Sequence, residues 1–168
     1  MEAVILIGPQ GAGKSTFYRE RFFDTHVRIS LDLVRTRRRE AGLIAACLDL
    51  QQRFVVDNTN PTVEDRRRYL EPARSAGFTV HGYYFRVSLG ECLRRNSQRA
   101  GPAKVPPAGL VGTYRKLQVP SLEEGFDLLY CVGLDAAGDT FIEEWSATVR
   151  QACEEALGAP TATREDST

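Results

Sequence analysis

The chain has 168 residues, of which 42% are hydrophobic and 26% charged, and this composition predicts one folded globular domain rather than a disordered chain. The longest apolar run, Leu43 to Leu48, is far shorter than the ~20 residues of a membrane helix. A strand-like segment begins at residue 3, so we expect no signal peptide. The four cysteines form no Cys-x-x-Cys pair, which predicts a cytoplasmic chain without disulfides or zinc.

The charge is distributed unevenly, although the formal net charge is zero. Residues 1–116 hold 20 basic against 11 acidic residues, whereas residues 117–168 hold 2 against 11. Of the 22 basic residues 19 are arginine, whose planar guanidinium suits phosphate. A coding bias explains the arginine excess equally well, but it does not explain the asymmetry, which favours a polyanionic ligand for the basic part.

Apolar runs alternate with segments of helical spacing along the chain. The predicted strands are Ala3–Ile7, Val27–Ile29, Phe54–Val56, Thr79–Val87 and Leu128–Val132. The predicted helices are Thr16–Phe23, Leu31 to about Gln52, Thr62 to about Ala76, Ser88–Arg99, residues 109 to about 118, and about Ile142–Leu157. Ser88 and Glu91 predict a capping box for the fourth of these helices. This pattern predicts an α/β fold with a parallel five-stranded sheet of order 2-3-1-4-5 and helices on both faces. We expect one domain over residues 1–157, a helical lid at about 88–118, and a polar, disordered tail over 158–168.

The turn after the first strand carries the strongest motif. Residues 8–15, Gly-Pro-Gln-Gly-Ala-Gly-Lys-Ser, match the P-loop pattern G-x-x-x-x-G-K-[ST] at every fixed position, between a strand and a helix. Backbone N–H groups of such a loop bind phosphate oxygens, the lysine reaches the β- and γ-phosphates, and the serine hydroxyl ligates Mg²⁺. The motif predicts a P-loop NTPase fold that binds ATP and Mg²⁺. The expected ATP contacts from this region are Gly8, Gln10, Gly11, Ala12, Gly13, Lys14, Ser15 and Thr16.

Carboxylates follow the second and third predicted strands, at the sheet edge where ligands of such folds bind. Asp32 is the candidate general base of a kinase, and its other interpretation is a helix N-cap. If a helix begins at Asp32, Arg35 lies on the same face and would hold an anionic acceptor. Asp57 is a candidate for the Mg²⁺ site or for an Asx-turn.

Arginines end the predicted lid helix. Arg95 and Arg99 share a face and could stabilise transition-state charge, or they form a solvated stripe at the helix C-terminus. In the run of residues 66–68 three consecutive arginines cannot share one face, so at least one must be simply solvated. The chain has no N-K-x-D motif, which argues against a GTPase.

These segments resemble the 5′-kinase domain of polynucleotide kinases, both the phage type and the domain of animal polynucleotide kinase/phosphatases, over about residues 3–133. The resemblance is carried by the P-loop, Ser30-Leu31-Asp32, Asp57-Asn58-Thr59-Asn60-Pro61, Arg95-Asn96-Ser97-Gln98-Arg99, Lys104-Val105-Pro106, Tyr114-Arg115-Lys116, Pro120 and Glu124-Gly125-Phe126. The D-N-T-N-P and E-G-F segments are more specific than the P-loop, which a large superfamily shares.

The resemblance implies a role for each matching position. It implies that Asp32 is the general base, that Arg35 contacts the phosphate on the 3′ side of the acceptor's terminal nucleotide, and that Arg95 and Arg99 contact the ATP phosphates. The implied catalytic set is Asp32, Lys14 and Arg99. The implied acceptor set is Asp32, Arg35, Asp57, Asn58, Thr59 and Asn60, and the implied Mg²⁺ donors are Ser15 and Asp57.

The sequence therefore predicts an ATP-dependent kinase for 5′-hydroxyl ends of DNA or RNA. No D-x-D-x-T phosphatase motif is present, so any 3′-phosphatase or ligase partner would be a separate chain. One alternative is a P-loop kinase for a small molecule such as a nucleoside, sugar or antibiotic. The other is a non-catalytic nucleotide-binding module.

Overall fold

A six-stranded sheet forms the centre of the computed structural model, which describes residues 1–101, 104–134 and 139–158. The strands are β1 Glu2–Ile7, β2 Val27–Ile29, β3 Phe54–Val56, β4 Thr79–Phe85, β5 Leu128–Leu134 and β6 Thr140–Glu144. Their spatial order is β2-β3-β1-β4-β5-β6, and all neighbours are parallel except β5 and β6. The predicted α/β class and the order of the first five strands are confirmed.

The sixth strand corrects the prediction of a five-stranded, wholly parallel sheet. β6 pairs antiparallel with β5, with Ile142 opposite Val132 and Phe141 opposite Gly133. The Phe141 ring lies over Gly133, where an added Cβ would come within 2.6 Å of the ring. The last helix therefore begins after Trp145 rather than at Ile142.

In the described ranges, seven α-helices connect or follow these strands. They are α1 Lys14–Arg21, α2 Leu31–Val34, α3 Arg37–Asp49, α4 Val63–Ser75, α5 Leu89–Ser97, α6 Pro107–Lys116 and α7 Ala147–Gly158. The single helix predicted from Leu31 to about Gln52 is wrong, because Arg35 has a left-handed φ of 69° and closes α2. Thr36 then caps α3 by accepting a hydrogen bond from the Arg39 backbone. Arg35 therefore does not share a continuous helix face with Asp32.

Two apolar cores lie on opposite faces of the sheet. Successive β1 residues alternate between them, with Ile5 and Ile7 in one core and Val4 and Leu6 in the other. The first core is completed by side chains of α3, α4 and α7, and the second by α1. Burial on both faces explains the continuous apolar run of β1.

The parallel register brings the carboxyl ends of β1, β2 and β3 to one edge of the sheet. Val56 pairs with both Ile5 and Ile29, so the P-loop, the Asp32 segment and the Asp57 loop all leave the sheet there. The lid predicted at residues 88–118 corresponds to α5, α6 and their connection, of which residues 102–103 lie outside the described residues. The predicted tail also lies outside them, except Gly158, which ends α7. Among the described helices, none has the length and apolarity of a membrane span.

Candidate active site

The P-loop is held by glycine conformations and by close contact with the lid. Gly11 and Gly13 have φ values of 81° and 100°, which side chains rarely adopt. A Cβ at Gly11 would lie 2.9 Å from the backbone oxygen of Cys92 in α5, so the loop packs directly on that helix. Arg95 adds a hydrogen bond from Nη1 to the Gly11 carbonyl at 3.2 Å.

Lys14 is buried within this loop. Its Nζ donates to the carbonyl oxygens of Gly8 and Pro9, both at 2.8 Å. Burial lowers the pKa of Lys14 to about 8, because desolvation disfavours the charged ammonium. A phosphate placed against this nitrogen would restore the charged form.

Ser15 and Asp57 provide two oxygen donors at the start of α1 and the end of β3. The Ser15 hydroxyl donates to Asp57 Oδ2 at 2.9 Å, and the Asp57 side chain is almost fully buried. Among the described residues, no group of three or more His, Cys, Asp or Glu side chains could hold a metal. Two hard oxygens nevertheless fit Mg²⁺, which usually binds one or two carboxylates together with water and substrate phosphates.

Arg28 also contacts this pair, which the sequence did not indicate. Its Nε and Nη2 donate to Asp57 Oδ2 at 2.8 and 2.6 Å, and Nη2 donates to the Ser15 hydroxyl at 3.1 Å. The guanidinium lies over the Tyr18 ring, with 5.6 Å from its central carbon to the ring centroid. A cation is therefore already present at the two oxygens predicted to hold Mg²⁺.

Asp32 lies in the first turn of α2 with an exposed side chain. Ser30, not Asp32, caps this helix, because the Ser30 hydroxyl accepts a hydrogen bond from the Asp32 backbone at 3.3 Å. The Leu31 backbone N–H donates to Asn58 Oδ1 at 2.9 Å, which ties α2 to the loop after β3. In the part of the chain that the structure describes, no hydrogen bond or ion pair involves the Asp32 carboxylate.

One cavity of about 630 Å³ joins most of the predicted site residues. Its lining includes Gln10, Gly11, Gly13, Lys14, Ser15, Thr16, Asp32, Asp57, Asn58, Thr59, Asn60 and Arg99. Arg35 and Arg95 are not part of this lining. Arg35 lies at the exposed end of α2, and Arg95 lines a neighbouring cavity of about 330 Å³ on the other side of the P-loop.

The D-N-T-N-P segment also forms hydrogen bonds with the start of the P-loop and the end of β1. The Gly8 backbone N–H donates to the Thr59 carbonyl at 3.0 Å, and the Asn60 side chain donates to the Leu6 carbonyl at 2.7 Å. Asn60 is buried and has a φ of 47°. These contacts give Thr59 and Asn60 a structural role in addition to their place along the cavity.

A buried network that the sequence did not reveal fixes Asn58. Its side-chain nitrogen donates to Glu40 Oε1 at 2.6 Å and to the Tyr69 hydroxyl at 3.2 Å. Arg37 Nη1 donates to Glu40 Oε2 at 2.8 Å and to the Tyr69 hydroxyl at 2.7 Å. Arg37 also lines the large cavity. The network therefore connects α3, α4 and the loop after β3 behind Asp32.

Arg66 is another residue whose role the sequence did not reveal, and it is completely buried. Its Nε and Nη2 make a bidentate ion pair with Glu124 at 2.7 Å for both contacts. Its Nη1 donates to the carbonyls of Asn60, Pro61 and Gln118, each at 3.2 Å. In the arginine run of α4, only Arg67 and Arg68 are solvated. The available signal was spacing, because Arg66 shares a helical stripe with the buried Tyr69, Leu70 and Ala73.

The lid helix α5 forms only half of the predicted capping box. Ser88 accepts a hydrogen bond from the Glu91 backbone at 3.2 Å. The Glu91 carboxylate accepts instead from Arg94 and Arg95 at 2.6–2.8 Å. The hydrogen bonds from Arg94 in particular lower the pKa of Glu91 to about 2.

The sequence of this chain is similar to those of known proteins. A family model described as an AAA domain matches residues 41–116. The bifunctional polynucleotide phosphatase/kinase of Schizosaccharomyces pombe is 25% identical over 130 residues, which are 74% of this chain and 32% of that protein. The chain thus spans about a third of the length of this relative. The predicted resemblance to polynucleotide kinases is confirmed by this match.

Solved structures share the fold at low sequence identity. A structure of AvrRxo1-ORF1:-ORF2 with ATP has a TM-score of 0.66 at 12% identity, covering 96% of this chain and 65% of that one. A gluconokinase from Sinorhizobium meliloti has a TM-score of 0.55 at 16% identity, covering 93% and 91%. The chain therefore shares its overall fold with these proteins.

Proposed function

We propose that this protein is an ATP-dependent polynucleotide 5′-hydroxyl kinase. The observation that carries the proposal is the 630 Å³ cavity, because it joins the P-loop to Asp32 and to the Asp57–Asn60 loop. A phosphate donor and an acceptor hydroxyl can meet in such a cavity. The similarity to the Schizosaccharomyces pombe polynucleotide phosphatase/kinase supports a nucleic-acid acceptor.

ATP would place its phosphates in the P-loop. Lys14 Nζ would exchange its two carbonyl partners for phosphate oxygens, and the backbone N–H groups around Gly13 would donate to the same phosphates. The 330 Å³ cavity adjoins Gly13 and has apolar walls from Phe85, Val87 and Val132, which suit a purine ring. Arg95 lines this second cavity and contacts the P-loop, so it lies beside the path between base and phosphates.

Ser15 and Asp57 would hold Mg²⁺, directly or through water, when it accompanies ATP. The ion would neutralise charge on the β- and γ-phosphates. The Asp57 carboxylate accepts hydrogen bonds from Arg28 and from the Ser15 hydroxyl.

Asp32 would act as the general base. Its carboxylate accepts the proton of the 5′-hydroxyl while that oxygen attacks the γ-phosphorus and the bond to the ADP oxygen breaks. The exposed carboxylate is suited to this role because no described side chain competes for it. Lys14 and Arg99, which line the same cavity, would stabilise the charge that develops on the transferring group.

Transfer of label from γ-labelled ATP to paired 5′-hydroxyl DNA and RNA oligonucleotides, with Mg²⁺, tests the proposal. Asp32→Asn keeps the shape of the side chain and should lower kcat by roughly 10²- to 10⁴-fold with unchanged ATP binding. Asp24→Asn is a matched control, because Asp24 is exposed and lies outside both cavities. Near-normal turnover by a folded, ATP-binding Asp32→Asn protein would contradict the proposed base.

A small-molecule kinase is the second candidate, and the structural likeness to a gluconokinase favours it. Salt separates the two, because binding of a phosphate chain weakens steeply as salt rises and binding of a neutral acceptor does not. Failure of transfer to every oligonucleotide, with transfer to a nucleoside or sugar, would select this candidate. ATP binding without transfer to any acceptor would select the non-catalytic module.

A further inference from the structure

The carboxylate oxygen that faces Ser15 is saturated with hydrogen bonds in this chain. Asp57 Oδ2 accepts two from Arg28 and one from the Ser15 hydroxyl, at 2.6–2.9 Å. A carboxylate oxygen offers about two lone-pair directions, so Oδ2 has none left for a metal ion. Arg28 Nη2 also donates to the Ser15 hydroxyl at 3.1 Å. A metal ion that binds Oδ2 must therefore displace the guanidinium.

The two charged partners differ in their burial. The Asp57 side chain is 2% exposed, whereas the Arg28 side chain is 27% exposed. A buried carboxylate is costly without a counter-charge, so Asp57 needs a cationic partner whether or not a ligand is bound. Arg28 has solvent beside it, and it is therefore the member of the pair that can move.

Arg28 reaches this pair from outside the nucleotide's cavity. Ser15 and Asp57 line the 630 Å³ cavity, but Arg28 does not. The guanidinium instead lies over the ring of Tyr18, which is buried and whose hydroxyl donates to the His26 carbonyl at 3.1 Å. Phosphates can thus enter the P-loop while Arg28 holds Asp57. Cation–π attraction to the Tyr18 ring remains available to the guanidinium when it leaves the carboxylate.

We infer that Arg28 is an internal counter-ion that closes the metal site of the nucleotide-free protein, so that Ser15 and Asp57 accept a divalent cation only together with a nucleotide. This inference rests on the Mg²⁺ site of the proposed function and is independent of the acceptor. A free Mg²⁺ ion gives up its water reluctantly and would gain one carboxylate and one hydroxyl here. A nucleotide adds phosphate oxygens to the same ion, which favours exchange of the guanidinium for the metal. The site therefore selects a metal–nucleotide complex over the free ion.

Binding of Mn²⁺ to the nucleotide-free protein tests the closed site, because the electron paramagnetic resonance signal of Mn²⁺ reports the free ion. Arg28→Gln should bind Mn²⁺ roughly 10- to 100-fold more tightly than the wild-type protein, because no charge-assisted hydrogen bond has to be broken. Adding Asp57→Asn to Arg28→Gln should abolish this gain, because it removes the carboxylate that the metal would bind.

A second measurement uses an ATP analogue with a non-hydrolysable imido bridge, titrated with EDTA and then with Mn²⁺. With EDTA, Arg28→Gln should bind the analogue more weakly than the wild-type protein, because the Asp57 charge then faces the phosphates without a counter-ion. With Mn²⁺, the affinity of the variant should be close to that of the wild-type protein. A side chain that only supports the fold would weaken binding under both conditions.

Arg21→Gln is the matched control. Arg21 also lies over an aromatic ring, that of Phe17 at 5.7 Å, is exposed, and has no hydrogen bond to Ser15 or Asp57 in the described ranges. It should bind Mn²⁺ like the wild-type protein. Arg28→Lys keeps the charge but lacks the planar fork, so it should close the site in part. Without nucleotide, Mn²⁺ should raise the Tm of Arg28→Gln more than that of the wild-type protein, even if the variant is less stable.

Three results would overturn the inference. The first is equal binding of Mn²⁺ by nucleotide-free wild-type and Arg28→Gln proteins. The second is a gain in Mn²⁺ affinity that survives Asp57→Asn, which would place the ion elsewhere. The third is an equal loss of analogue affinity with EDTA and with Mn²⁺, which would leave Arg28 with a purely structural role. If the wild-type protein does not bind the analogue even with Mn²⁺, the nucleotide site of the proposed function fails as well.

Discussion

Replacing Arg66 by alanine is expected to destabilise the fold strongly, although it lies in a run of three arginines. The substitution removes both contacts to Glu124 and the hydrogen bonds to three backbone carbonyls. Glu124 is then left as a buried carboxylate without its charged partner, since its side chain is only 7% exposed. The cost of breaking a buried ion pair from one side is about 3–5 kcal/mol.

Thermal and urea unfolding measure this cost. For a chain of this size, about 3–5 kcal/mol corresponds to a decrease in Tm of about 6–20 °C. Arg67→Ala is the matched control, because Arg67 is the next residue of α4 and its ion pairs with Glu64 and Glu71 are exposed. Such surface pairs contribute about 0–1 kcal/mol, so Tm should change little.

A double variant separates the ion pair from packing. Arg66→Met with Glu124→Leu removes both charges and keeps apolar volume, so it should be more stable than Arg66→Ala. The two effects should not be additive, because the side chains are in direct contact. The reasoning is refuted if Arg66→Ala and Arg67→Ala lower Tm equally. It is also refuted if the decrease in Tm of the double variant equals the sum of the decreases in the Arg66→Met and Glu124→Leu single variants.

Three further changes test the site. The affinity for ATP should fall as pH rises above about 8, because the buried Lys14 then loses the proton that phosphate binding requires. Isothermal titration calorimetry with ATP at about pH 7 and at about pH 9 measures this change. Gly11→Ala should lower Tm and weaken ATP binding, because φ is 81° and the new Cβ would meet the backbone of α5. Gly42 is the control, because a Cβ on this residue of α3 meets no neighbouring atom, so Gly42→Ala should stabilise the protein by about 0.5–1 kcal/mol. Arg28→Gln should lower the Mg²⁺ concentration that gives half-maximal label transfer, because it removes a competing cation; an increase would show that Arg28 mainly orients the magnesium donors.

The sheet order was predictable because β1 and β3 contain continuous apolar runs and the P-loop fixes one strand–helix junction. The edge strand β6 was not, because its sequence Thr-Phe-Ile-Glu-Glu mixes apolar and charged residues and its burial is only partial. The break between α2 and α3 has no glycine or proline to mark it. It depends on the left-handed conformation of Arg35, which local sequence preference opposes.

The candidate site likewise contains residues that were predictable from the sequence and residues that were not. The P-loop and the D-N-T-N-P segment were identified from motifs whose residues are adjacent in sequence. The hydrogen-bond network of Arg37, Glu40, Asn58 and Tyr69 was not predicted, because its members are far apart in the sequence. Asn58 is 18 residues from Glu40, and Tyr69 is 32 residues from Arg37. Only the folded sheet and helices bring such partners together, so no short sequence pattern reports them.

The contact between Gly11 and α5 joins the P-loop to the predicted lid. Because the loop backbone touches the helix backbone, and Arg95 bonds to the Gly11 carbonyl, α5 cannot swing away without breaking the nucleotide loop's own support. The buried Asn96 meanwhile bonds through both side-chain atoms to the backbone of Val105. Arg99 follows Asn96 by three residues and lines the large cavity. The contacts of Gly11 and Arg95 therefore join α5 to the nucleotide loop, while Asn96 joins the end of the same helix to Val105.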